Sequence, residues 1–210
     1  MKQLFLLRHG ETNWNLEGRT QGRRDSRLTP GGLQQAELAG QKLMNNKIQV
    51  IYSSNLNRAK STAMIIKEQL GIPCHYDHGL SEMNFGEWEG LTIKEIESNY
   101  VDDFSCWRDT PHLTLIPKGE NLKNAQKRIV EAIENIMIQS KKDRLVLVSH
   151  GAVIKLYLLH VLGMPLSNFY RLKQNNCAIN LIEYKECGPV LVKYNDLSHL
   201  DILSVGDEHE

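Results

Sequence analysis

The sequence predicts an α/β protein, a three-layer α/β/α sandwich with a mostly parallel central sheet. Three observations predict it. Short apolar runs alternate with stretches whose apolar residues recur every three or four positions. Two of the runs share one layout. Leu4-Phe5-Leu6-Leu7 leads into Arg8-His9-Gly10, and Leu145-Val146-Leu147-Val148 leads into Ser149-His150-Gly151. Both are apolar throughout, which suits strands buried on both faces of a parallel sheet. The chain has 210 residues with no linker, enough for a single domain over 1–210 with a full core.

The elements follow in order. Gln3–Leu7 is the first strand. Thr29 caps a helix whose first residue is Pro30, a residue suited to that position. Leu33, Ala36, Ala39 or Gly40, and Leu43 form its apolar face, and it ends near Asn45-Asn46. Val50–Ser53 is a second strand. A helix from about Asn57 to Leu70 is stopped by Gly71 and Pro73, and Cys74–Tyr76 is a third strand. The pattern loosens from Leu80 to Gly119, with short helices at Ile93–Asn99 and Val101–Arg108. A stretch this long and irregular reads as a lid-like insertion, about 80–119. From Glu120 to about Ser140, Leu122, Ala125, Ile129, Ala132 or Ile133, and Ile136 keep helical spacing. Leu145–Val148 is the second histidine-bearing strand and Ala152–Leu162 the helix after it. Strands at about Ala178–Tyr184 and Val190–Tyr194 close the fold, joined by a turn at Cys187-Gly188-Pro189. The acidic tail after about Asp201 reads as mobile.

Composition narrows the partners. Lys plus Arg equals Asp plus Glu, 25 each, so nothing global favours nucleic acid or an anionic membrane. Cys74, Cys106, Cys177 and Cys187 are irregularly spaced, without a Cys-x-x-Cys. That argues against disulfides and a zinc cluster and suits a reducing compartment. The amino-terminal apolar run is too short for a signal peptide, and no stretch approaches the roughly 20 apolar residues of a membrane span. A cytoplasmic protein, monomeric or homodimeric, is expected.

In an open α/β sheet, reactive groups gather beyond the carboxyl ends of the strands. His9 and His150 belong at that edge and can face each other. Paired histidines beside an arginine point to chemistry on a phosphate. A neutral imidazole is a nucleophile toward phosphorus, and the phosphohistidine it forms divides one hard step into two easier ones. Cations must offset the transferring charge. Arg8 is adjacent, and Arg58 falls in the first turn of a helix, where the backbone already favours an anion. The competing reading makes Arg58 an ordinary surface residue. The departing alkoxide needs a proton, and Glu82, Glu87 and Glu89 are candidates that spacing alone does not separate. Their plain alternative is a solvated acidic loop.

The blocks form a series. It runs Arg8-His9-Gly10-Glu11-Thr12, Asn15, Gly18-Arg19-x-Gln21-Gly22 and Leu28-Thr29-x-x-Gly32. Next come Tyr52-Ser53-Ser54-x-Leu56-x-Arg58-Ala59 and Glu82-x-x-Phe85-Gly86-x-x-Glu89-Gly90. Gly119-Glu120-Asn121 and Val148-Ser149-His150-Gly151 complete it. Together they resemble the histidine phosphatase superfamily, in its phosphoglycerate-mutase-like branch, over nearly the whole chain. Asn121 stands where that branch has Ser. The resemblance implies a phosphoglycerate-mutase-like fold. It makes His9 the phosphorylated nucleophile, Arg8, Arg58 and His150 the phosphoryl ligands, and Glu82 the proton donor. Asn15, Gln21 and Gly22 would line the phosphate pocket, with the Gly151 backbone nearby. It implies no metal and no organic cofactor, and a small phosphate ester as substrate.

Within that branch the short segment between the third strand and the long helix favours a phosphatase over a phosphoglycerate mutase. An α-ribazole-5'-phosphate phosphatase of cobalamin assembly stays open. Phosphoserine-specific members carry a histidine where Phe85 stands, which argues against phosphoserine. Arg19, Arg23, Arg24 and Arg27 either flank the entrance or form a solvated loop. Phe85, Trp88, Phe104 and Trp107 are either an apolar wall on the leaving-group side or a minor core. Two other classes are a catalytically dead binding protein and a metal hydrolase using His9, His150 and the pair His75 and His78. Retention of the full residue set opposes the first. The second suffers because the His75-x-x-His78 spacing does not place both rings on one face.

Overall fold

The computed structural model describes residues 1–201, so the acidic tail lies outside the described residues. Six strands form one sheet: β1 (Lys2–Arg8), β2 (Val50–Ser54), β3 (Cys74–Asp77), β4 (Arg144–Ser149), β5 (Ile179–Lys185) and β6 (Gly188–Asp196). Their order is β3-β2-β4-β1-β5-β6. β3 pairs parallel with β2, and β2 and β1 pair parallel with β4. β5 runs antiparallel to both β1 and β6. The sheet is thus mixed and mostly parallel.

The apolar runs explain the layers. Successive strand side chains point to opposite faces. Leu4, Leu6, Leu145 and Leu147 enter one core, while Phe5, Leu7, Val146 and Val148 enter the other. Helices α2 (Pro30–Met44) and α3 (Asn57–Leu70) supply the second core. Helices α6 (Leu122–Gln139) and α7 (Gly151–Val161) supply the first. The segment between β3 and α6 carries α4 (Ile93–Asn99) and α5 (Val101–Asp109), and adds Trp88, Ile96, Phe104 and Trp107 to that first core.

Five features differ from the sequence reading. A short helix α1 (Asn13–Leu16) and a 3-10 helix at Leu166–Arg171 were not expected; neither is long enough to show a period. On α2 the buried stripe is Gly32, Ala36, Ala39, Gly40 and Leu43, and Leu33 is exposed. The cause is a close approach: a Cβ on Gly32 would lie 2.0 Å from the Glu11 carbonyl oxygen, so the helix faces the core one residue earlier. α6 starts at Leu122 rather than Glu120, because the Asn121 side chain accepts the Asn124 N–H as a cap. The β5–β6 turn is Glu186-Cys187, so Gly188 and Pro189 belong to β6. Proline is tolerated there because β6 is an edge strand. The four cysteines are free. No helix among the described residues is long and apolar enough to cross a membrane.

Candidate active site

β1 and β4 pair in register, with Arg8 opposite Ser149. The next residue on each strand is a histidine, and the His9 and His150 ring centroids lie 5.3 Å apart. His9 Nδ1 donates to its neighbour's carbonyl, Gly10 O, at 2.8 Å. A carbonyl only accepts, so Nδ1 carries the proton and Nε2 keeps its lone pair. That Nε2 accepts from Arg58 Nε at 3.3 Å. Burial, then the Arg58 and Arg8 charges, hold His9 well below the usual histidine range, hence neutral.

His150 is fully buried. Its Nε2 lies 2.8 Å from Ser54 Oγ, at the end of β2, and its Nδ1 has no partner among the described residues. Burial, then Arg58, His9 and Arg8, push it well below the usual range. Arg58 is only 1% exposed, which overturns its reading as a surface residue. Its NH2 donates to Gly22 O at 2.7 Å, and its NH1 to Arg24 O at 2.8 Å and Asp25 Oδ1 at 3.0 Å. Asp25 also accepts the Asn57 N–H, capping the start of α3. Arg8 NH1 donates to Gln174 O at 2.7 Å, while its Nε has no partner among the described residues.

Glu82 is buried at the amino terminus of α7, its carboxylate accepting from Met83 N at 2.9 Å and Ala152 N at 3.4 Å. Glu87 instead pairs with Lys118 at 2.6 Å. Glu89 accepts from the Arg23 and Phe85 amides. Of the three acids, Glu82 alone lines the cavity that holds His9.

That cavity has a volume of about 610 Å³. Asn15, Gln21, Gly22 and Gly151 all line it. Gln21 Nε2 donates to Thr12 Oγ1 at 2.8 Å, and Asn15 Oδ1 accepts from Thr12 N and Asn176 Nδ2. Gly22 has φ +54, and a Cβ there would lie 2.1 Å from Glu89 Oε1. Trp88, Phe104 and Trp107 are buried in the core and Phe85 packs against it, and all four also line the cavity. The arginine cluster divides: Arg19 lines the cavity, whereas Arg23 faces Glu120 at 3.5 Å. His75 packs its ring against Tyr52, and neither His75 nor His78 lines the cavity. Among the described residues no group of three or more His, Cys, Asp or Glu is placed to hold a metal ion.

Four neighbours of the site were missed from sequence: Ser54, Asp25, Gln174 and Lys155. Lys155 was findable, since it stands four residues after Gly151 on one helical face. Asp25 carried no signal, being one charge in a polar loop.

The profile of the histidine phosphatase superfamily (branch 1) matches residues 4–197. The chain belongs to that superfamily. Among relatives, this histidine phosphatase is 32% identical over 200 residues to phosphoserine phosphatase 1 of Hydrogenobacter thermophilus, covering 95% of each chain. It is 35% identical over 209 residues to the probable phosphoglycerate mutase GpmB of Salmonella arizonae, covering 96% of each. Among solved structures, Bacillus stearothermophilus YhfR superposes with a TM-score of 0.91 at 32% identity, covering 95% of this chain and 100% of that one. The relatives therefore include both phosphatase and mutase names on one fold.

Proposed function

We propose that this histidine phosphatase hydrolyses small phosphate monoesters through a phosphohistidine on His9. The observation that carries the reading is the orientation of His9. Its Nδ1 is tied to the Gly10 carbonyl, and its unprotonated Nε2 accepts from Arg58 Nε in a cavity that also holds Arg8 and Glu82. The Nε2 lone pair attacks phosphorus, and the ester P–O bond breaks in line. The departing alkoxide takes a proton from Glu82. Water then attacks phosphorus, gives its proton to the Glu82 carboxylate, and releases His9 and phosphate. Arg8 and Arg58 hold the non-bridging oxygens. Ser54 Oγ accepts the Leu56 N–H and is free to donate to His150 Nε2. His150 Nδ1–H then has no acceptor among the described residues, and a phosphoryl oxygen supplies one. Asn15, Gln21, Gly22 and the Gly151 amide complete the pocket.

These fixed cations supply the positive field that a metal supplies elsewhere, so the reading is of a metal-independent enzyme. Isolated thiols suit a cytoplasmic enzyme, acting as monomer or homodimer. Residues 80–119 serve as its cover on the leaving-group side. The relative named as a mutase keeps a second reading open, phosphoryl transfer within phosphoglycerate, and α-ribazole phosphate stays among the candidate substrates.

Phosphate release from p-nitrophenyl phosphate and from 3-phosphoglycerate, with and without a bisphosphate primer, tests the reading. Release independent of primer is expected, with a trapped intermediate carrying one phosphoryl group on His9. His9→Ala is expected to lower kcat by about 10³-fold or more. Primer-dependent isomerisation without net hydrolysis would establish the mutase instead.

A further inference from the structure

We infer that Lys155 binds a second anionic group on the alcohol portion of the substrate, so that the site prefers phosphate esters carrying such a group over neutral ones. The inference rests on the phosphatase reading.

Lys155 stands one helical turn beyond Gly151 on α7, and both residues line the cavity of His9. Helical side chains lean toward the amino terminus of their helix. The ammonium is therefore directed back toward the end of α7 where Glu82 and Arg8 sit, and it feels both charges. It has no hydrogen bond and no ion pair among the described residues. Its neighbours are ring faces: Nζ is 3.7 Å from the Phe169 centroid and 5.2 Å from that of Tyr170. Ring faces offset part of the cost of burying a cation, but not all of it.

The cavity lining shows the same excess. Arg8, Arg19, Arg58, Lys155 and Lys173 line it, against the single carboxylate of Glu82. Arg8 and Arg58 suffice for one phosphoryl group. Arg19 has Glu17 and Glu95 as partners. Lys173 is exposed, so Lys155 is the partly buried cation left over, within the field of Glu82, the donor to the departing alkoxide. Burial brings its ammonium down to about 8, which leaves it mostly charged at neutral pH. One turn of helix rises about 5 Å, so the second anion belongs on a short spine, a few bonds from phosphorus.

Three esters on one three-carbon spine test this: propyl phosphate, 3-phosphonooxypropionate, and propane-1,3-diol bisphosphate. The last two separate a carboxylate from a second phosphate as the preferred anion. In the wild-type enzyme, kcat/KM for at least one anionic ester is expected to exceed that for propyl phosphate by about tenfold or more, mainly through KM. Lys155→Met fills the same space against the rings. It is expected to bring that ratio close to one, and Lys155→Arg to keep most of it. A wild-type enzyme that hydrolyses propyl phosphate without preferring either anion would overturn the inference and leave the phosphatase reading intact. A preference that survives Lys155→Met would overturn it too. Failure to hydrolyse any of the three would count against the phosphatase reading itself.

Discussion

Arg58 shows how one side chain is aimed by its partners. Two carbonyls and the Asp25 carboxylate hold NH1 and NH2, so Nε is turned to His9. A lysine cannot reproduce that planar fork. Arg58→Lys leaves the Gly22 and Arg24 carbonyls without their donor and the phosphoryl pocket without a fixed cation. We expect kcat to fall by about 10²-fold or more and stability by about 1–3 kcal/mol, read by steady-state kinetics and urea unfolding. A variant within twofold of wild type in kcat would remove Arg58 from the mechanism. The chemistry of this residue was legible in the Arg58-Ala59 motif; its burial was not, because the loop that wraps it, residues 22–25, has no periodicity.

At the scale of elements, the loop after β1 and the start of α2 meet backbone to backbone. A Cβ on Gly10 would lie 2.4 Å from Gly32 O, and one on Gly32 would lie 2.0 Å from Glu11 O. Neither neighbour is a flexible side-chain end, so a methyl group forces the two elements apart. Gly32→Ala is expected to cost about 2–4 kcal/mol and to lower activity as the His9 loop shifts; thermal unfolding and kcat measure both. An alanine variant of wild-type stability would mean the contact is looser than described. The helices themselves were largely legible: α3 and α4 begin and end where their sequence signals place them. Leu33 misled because periodicity reports a face but not which backbone presses against it. The support of the Glu82 loop was hidden as well. Arg128 of α6 donates to Gly79 O and Ser81 O and pairs with Glu120, which accepts from Asn84 N. In sequence, Arg128 is one polar residue on the outer face of an amphipathic helix.

At the scale of the whole molecule, alternation and two apolar runs were enough for three layers and a parallel centre. The strand order was not legible, since nothing local says that β1 pairs with a strand more than 130 residues away. That pairing nonetheless makes the site, because it brings two histidines into the interior as neutral rings. Their burial links the site to global stability. Both are held well below the ordinary histidine value, so the native state resists protonation where the unfolded chain accepts it. The stabilising difference is therefore complete above about pH 6.5 and is lost as pH falls below it. Each such histidine steepens the loss of stability as pH falls through that window, by at most about 1.4 kcal/mol per pH unit. His150→Gln removes one of the two titrations while keeping a polar side chain near Ser54. Its absolute stability at neutral pH can move either way, but its dependence on pH is determined by proton count. Between pH 7.5 and pH 5 the wild type is expected to lose more stability than the variant, by up to about 2 kcal/mol, measured by urea unfolding at both pH values with carboxylate contributions common to the two proteins. Parallel stability curves would mean that His150 takes up its proton in the folded protein as readily as in the unfolded chain, and that the positive ring around His9 is weaker than its geometry implies.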